Sequence, residues 1–251
     1  MTELIQHQIE IQSNQRAWDS KPLLREIYRQ FYDSIRTLID STIPGTIVEV
    51  GSGIGNLGDH VNNVVRTDIF RNPWLDVVCD GYRLPFRDQS VSHLVLFDVF
   101  HHLQTPNAFL REAKRVLTRS GRIILFEPYM SFSSFPVYGL LHHEPVAWKQ
   151  PISLENAPPL NQEYYAAQGN ATRLFFRNEM PGFANDWTVF HKSAHCSFAY
   201  LLSGGYSKPS FYPASMLPLI RWIDNNLSRL PDVFAARCLI GLTPVNNGTA
   251  R

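Results

Sequence analysis

Apolar residues recur at Leu24, Ile27, Tyr28, Phe31, Ile35, Leu38 and Ile39, a three-to-four spacing that predicts one amphipathic helix over residues 22–40. Ser20 is its expected cap, with Pro22 tolerated in the first turn. Pro44-Gly45 ends that pattern, and the β-branched run of residues 46–50, closed by Gly51, predicts a strand buried on both faces. Apolar pieces at 63–66, 75–79, 94–97 and 122–126 predict further strands, with a helix over 107–117 between the last two. Strands alternating with helices are the signature of a doubly wound α/β sheet.

From Tyr129 the pattern changes. Prolines, paired histidines and many aromatics run to about Asn185 without a sustained period of either kind. A structureless loop of that length is unusual in a compact domain, so this stretch is expected to hold short helices and to form a lid or substrate pocket. After it come the apolar piece SFAYLL, a turn at SGG, a helical piece over 217–230 and a strand-like AARCLIGL. The chain therefore divides into an N-terminal helical segment (1–45), a ligand-binding half (46–128), an aromatic-rich insertion after the fifth strand (129–195) and a C-terminal part of the same domain (196–251).

Composition narrows the picture. The chain has 251 residues, 44% of them hydrophobic and 18% charged, which is ample for a buried core. A formal charge of +1 supplies no global field for nucleic acid or an anionic membrane, and neither partner is expected. Three dispersed cysteines, Cys79, Cys196 and Cys238, form no CxxC and suit a reducing compartment. With no run of eighteen apolar residues and no basic-then-apolar leader, the expectation is a cytoplasmic protein without membrane insertion.

The strongest chemical signal is IVEVGSGIGNLG, a strand running into Gly51, Gly53 and Gly55 and then into a helix start. Glycines permit a tight turn and let backbone approach a ligand closely. Gly53, Gly55 and Gly58 also satisfy GxGxxG, so the loop alone does not choose between a dinucleotide and another nucleotide-like cofactor. Three acids add information. Glu49 lies inside an apolar strand, where a buried carboxylate needs a partner. Asp68 ends the next strand, where a carboxylate accepts from both hydroxyls of a ribose. Asp80, in VVCDGYRLPF, is placed to accept from an adenine amino group, a contact that dinucleotide folds do not need.

Taken with LVLFDVFHHL and FLREAKRVLTRSGRIILFEP, these blocks resemble, in order, the catalytic domain of the class I S-adenosylmethionine-dependent methyltransferases, in the type 11 group, over about residues 46–128. The resemblance implies a mostly parallel seven-stranded sheet and S-adenosylmethionine as cofactor. It implies that Glu49, Gly51, Ser52, Gly53 and Gly55 surround the methionine end, that Asp68 and Ile69 meet the ribose, that Asp80 and Gly81 meet adenine, and that Asp98 lies beside the sulfonium. Ser92 and Ser120-Gly121 depart from the Asp and Gly-Gly common in the family, and the short stretch from Gly58 to Asp68 allows a first helix of only about two turns. The second half is similar to a smaller set of bacterial methyltransferase-like proteins sharing HHEP and YLLSGG segments, and that similarity supplies no chemistry.

Methyl transfer from a sulfonium is an in-line displacement, so a base is required only when the acceptor atom is protonated at neutral pH. The candidates are His102, in the block after the fourth strand, and His143 with Glu144, in HHEP. Each also has a bland reading, as packing or as a self-satisfied loop. His191 and His195 make an HxxxH pair without HExxH, and no metal site is expected. Three functions remain open: transfer to a small-molecule, sugar or lipid-intermediate acceptor, a non-catalytic cofactor-binding protein of the same fold, and a nicotinamide-dependent oxidoreductase, against which Asp80 and the LPF block argue. The oligomeric state is not legible.

Overall fold

The computed structural model describes residues 3–138, 147–148, 151–152, 167–179 and 182–245. Seven strands build one sheet in the order β3-β2-β1-β4-β5-β7-β6. They are β1 (Thr46–Val50), β2 (Val64–Asp68), β3 (Val77–Val78), β4 (Val91–Phe97), β5 (Leu117–Pro128), β6 (Trp187–Cys196) and β7 (Ala235–Pro244). The first five pair in parallel, and β7 lies antiparallel between β5 and β6.

Alternation along the central strands decides the two layers, because successive side chains point to opposite faces. Leu94 and Leu96 of β4, with Ile123 and Leu125 of β5, pack on one face against Phe109, Leu110 and Ala113 of α3 (Pro106–Val116). Val95, Ile124 and Phe126 point the other way, onto Leu24, Ile27, Phe31 and Ile35 of α2 (Pro22–Arg36). Both faces are therefore covered, which is why these strands read as continuous apolar runs. Among the described residues no helix is long and apolar enough to cross a membrane.

Four local features differ from the sequence expectation. A separate helix, α1 (Glu3–Ser20), precedes α2; only Ile11 and Ala17 among its described side chains are buried, too sparse a stripe to announce it. Ser20 does not cap α2: its Oγ donates to the Arg16 carbonyl of α1 at 2.7 Å, and Lys21 occupies the N-cap position. After the glycine turn the chain makes a single 3-10 turn at Asn56–Asp59, shorter than the two helical turns expected. Lastly, β6 is drawn from the stretch expected to be insertion. It is an edge strand with mostly exposed or half-buried side chains, so WTVFHKSAHC carries little apolar signal.

The chain leaves β1 for β2 on one side and reaches β4 on the other. The switch point therefore falls between β1 and β4, and the crevice at their C-terminal ends is where an open α/β sheet binds its ligand.

Candidate functional site

The turn after β1 is tied to β2 before it meets any ligand. Ser52 N donates to the Thr67 carbonyl at 2.8 Å, Thr67 N donates to Ser52 Oγ at 3.0 Å, and Thr67 Oγ1 donates to the Glu49 carbonyl at 2.8 Å. Gly51, Gly53 and Gly55 all have positive φ, at 72°, 53° and 75°. Their surroundings differ. A Cβ on Gly51 would run into the Val99 side chain, whereas one on Gly53 would meet nothing nearer than Ile11 Cδ1 at 4.0 Å. The backbone at Gly53 thus opens onto free space.

Glu49, beneath this turn, is 3% exposed, and its Oε2 has no hydrogen-bond partner. Burial, reinforced by the charge of Asp68, pushes its carboxyl up to about 8 against the opposing effect of Ser52. A buried acceptor left unsatisfied is costly, and a bound cation or N–H donor relieves that cost. At the end of β2, the two carboxylate oxygens of Asp68 accept from Gly53 N at 3.0 Å and Phe70 N at 3.1 Å. Ile69 follows it, exposed, and Val78, the register partner of Asp68 on β3, is also exposed. Asp80 accepts from Tyr82 N at 2.9 Å and pairs with Arg83 at 3.2 Å, so it also builds its own turn, and Gly81 lies against Val50. Asp68 and Asp80 are not among the residues that line the cavity beginning at Glu49.

That cavity, of about 790 Å³, runs from Glu49, Gly51 and Gly53 past Asp98, His101 and His102. Tyr28, Tyr32 and Tyr200 wall it on the α2 side, and Ile9, Glu10, Ser13 and Asn14 of α1 lie along its edge. Of the stretch expected to cover the site, Met130, Val137, Tyr138, Ala167 and Gly169 line it. His143 and Glu144 lie outside the described residues.

Asp98 takes a left-handed conformation, with φ of 55°, directly after β4. Arg237 of β7 donates to its carboxylate and is itself 2% exposed, with its guanidinium 4.5 Å from the Tyr200 ring centre and within 6 Å of Phe31, Phe97 and Phe126. Glu127, at the end of β5, is fully buried and gathers the turn after Asp98. Oε1 accepts from Val99 N at 3.0 Å and Phe100 N at 2.7 Å, and Oε2 accepts from His101 N at 3.2 Å and faces His101 Nδ1 at 2.6 Å. Burial, with the charge of Asp98, raises the Glu127 carboxyl, and the backbone N–H donors of Phe100 and Val99 act against it. Ligand atoms of Asp98, His101 and Glu127 lie within 4.8 Å of one another, but Arg237 and the N–H donors already engage the carboxylates. The His102 ring lies against that of His101, tilted by 43° with ring centres 4.0 Å apart.

Glu127 and Arg237 were not singled out from the sequence. The signal was there in both cases: a charged residue interrupting an apolar strand, in IILFEP and in AARCLIGL, poses the same question of a buried partner that Glu49 poses.

Residues 48–125 match the family model described as a methyltransferase domain. Over those residues the chain carries an S-adenosylmethionine-dependent methyltransferase domain. That methyltransferase domain is similar to the probable tRNA methyltransferase 9B of Mus musculus, 28% identical over 123 residues, covering 43% of this chain and 27% of the relative. It is also similar to the uncharacterized protein MJ1123 of Methanocaldococcus jannaschii, 26% identical over 107 residues, covering 39% of this chain and 51% of that one. The chain thus spans about a quarter to a half of the length of these relatives. Among solved structures, an S-adenosylmethionine-dependent methyltransferase from Archaeoglobus fulgidus superposes with a TM-score of 0.49 at 13% identity, over 88% of this chain and 94% of that one. The order of the methyltransferase domain's strands, with β7 antiparallel between β5 and β6, is the seven-stranded sheet the resemblance implied.

Proposed function

We propose that this protein transfers the methyl group of S-adenosylmethionine to a small molecule held in the cavity between the glycine turn and Arg237. The observation that carries the reading is the orphaned, buried Oε2 of Glu49 beneath the open backbone of Gly53. An acceptor that lacks a donor suits the ammonium of the cofactor's amino-acid end, and the space a Cβ would fill at Gly53 suits its close approach. Asp68, whose oxygens each retain a second acceptor direction, would take the ribose hydroxyls, and the exposed Ile69 and Val78 would flank the adenine near Asp80. The bound cofactor supplies an electrophilic methyl. The chain's part is to orient it toward Asp98 and His101 and to exclude water.

The cavity's size falls in the range of small-molecule sites, and its tyrosine walls with a near-neutral chain favour a compact acceptor. The name of the mouse relative favours a second reading, a nucleic-acid acceptor, although the similarity spans under half of this chain. Calorimetry tests the first reading: S-adenosylhomocysteine should bind and NAD should not, and Asp68→Ala should weaken binding by roughly tenfold to a hundredfold at about 1.4 kcal/mol per decade. Tighter binding of NAD would reject it. Salt-dependent binding of transfer RNA would move the acceptor to the second reading.

A further inference from the structure

We infer that His101, held by Glu127, is the general base of this site, and that the acceptor is accordingly a group whose attacking atom carries a proton at neutral pH, a hydroxyl or N–H. The inference rests on the methyl-transfer reading above and deepens it.

Geometry carries the assignment. Glu127 is fully buried and aims one oxygen at His101 Nδ1 at 2.6 Å, while its remaining acceptor capacity is taken by the N–H groups of Val99, Phe100 and His101. The three backbone N–H groups aimed at its oxygens favour the ionised carboxylate against burial, and the ionised form accepts from the ring, which places the ring proton on Nδ1 and makes Nε2 the acceptor nitrogen. The backbone of the same turn is clamped from the other side. Gln168 N donates to the His101 carbonyl at 2.9 Å, and Asn170 Nδ2 donates to the Phe100 and Leu103 carbonyls at 2.8 Å each. The ring is therefore oriented by three elements, and it lines the cavity beside Asp98 and His102. Among the described residues, Asp98, Glu127, His102 and, through Asp98, Arg237 are charged or titratable groups near it. In the reaction the acceptor X–H gives its proton to His101 Nε2 as the X–C bond forms; the C–S bond breaks with its electron pair on sulfur, leaving a neutral thioether. Glu127 is a positioning residue.

The test needs no acceptor. Nitrogen NMR of the S-adenosylhomocysteine complex, with the His101 ring identified by its loss in His101→Gln, should show the Nδ1–H tautomer at neutral pH. In Glu127→Gln the amide NH₂ is disfavoured where it would face two backbone N–H groups and so turns toward His101 Nδ1. The ring should then flip to the Nε2–H tautomer. Diethyl pyrocarbonate, which acylates unprotonated imidazole nitrogens, should modify His101 Nε2 in the parent protein, and that modification should be lost in the Gln variant. A His101 ring already in the Nε2–H form in the parent protein, or one inert to the reagent, would overturn the inference while leaving the cofactor site standing. Failure of S-adenosylhomocysteine to bind the parent protein would overturn both. If Glu127→Gln does not fold, the tautomer and reactivity of the parent protein still decide.

Discussion

Arg237, buried on β7, donates to Asp98, half-buried at the end of β4, and so joins the antiparallel edge of the sheet to the turn that carries His101. The pair is asymmetric: the side chain of Arg237 is 2% exposed and that of Asp98 28%. Removing the partner of the more buried charge leaves it uncompensated, whereas Asp98 can be hydrated from the cavity. Asp98→Ala should therefore cost about 3–5 kcal/mol, the usual penalty of a stranded buried charge, and Arg237→Met clearly less. Urea denaturation of the two variants checks the order; a larger loss from Arg237→Met would contradict it.

Two glycines two residues apart should respond differently to the same substitution. In Gly51→Ala the left-handed φ costs roughly 1–2 kcal/mol and the new methyl meets Val99, adding about 1–3 kcal/mol of overpacking. Gly53→Ala carries the conformational cost alone, since its Cβ enters open space. That space is where the cofactor is proposed to lie. Thermal melts should show Gly51→Ala as the less stable variant, while titrations of Gly53→Ala should show a loss of S-adenosylhomocysteine affinity of about tenfold or more.

His93, buried on β4, accepts from Asp40 N through Nε2 at 3.1 Å and meets Ser92 through Nδ1 at 3.0 Å. Ser92 departs from the residue common in the family, and it also bonds the Gly45 and Thr46 carbonyls. Burial, aided by Arg122, lowers the His93 imidazole from 6.5 to about 4. The unfolded chain then binds the proton more readily, so this group's contribution is complete above about pH 6.5 and is lost as pH falls toward 4. The shift corresponds to about 3 kcal/mol at 1.36 kcal/mol per unit. Denaturant titrations between pH 7 and 4 should show that fall, and His93→Gln should flatten it.

Much of this was legible in the chain. The strands from β1 to β5, α2, α3 and the glycine turn announce themselves because period and β-branching are strong where both faces of a sheet are covered. Elements that make weak apolar demands are silent: α1 buries two described side chains, and the edge strand β6 is largely polar. The site divides the same way. Glu49, Gly53, Asp68 and Asp98 follow from blocks contiguous in sequence. Arg237 meets Asp98, and Glu127 meets His101, across 139 and 26 positions, so only the register of β5 and β7 brings them together.

The most direct measurement is the proton released when the cofactor product binds. With its carboxyl raised to about 8, Glu49 carries a proton at pH 7 in the free protein. An ammonium placed against its orphaned Oε2 favours the ionised form, so binding should expel that proton. Calorimetric titration with S-adenosylhomocysteine at pH 7, in buffers of different ionisation enthalpy, should report release of nearly one proton. Glu49→Gln should bind more weakly and release none. If the parent protein binds with no proton released, or if Glu49→Gln releases as many, then Glu49 does not receive the amino-acid end of the cofactor and the proposed arrangement of the site is wrong.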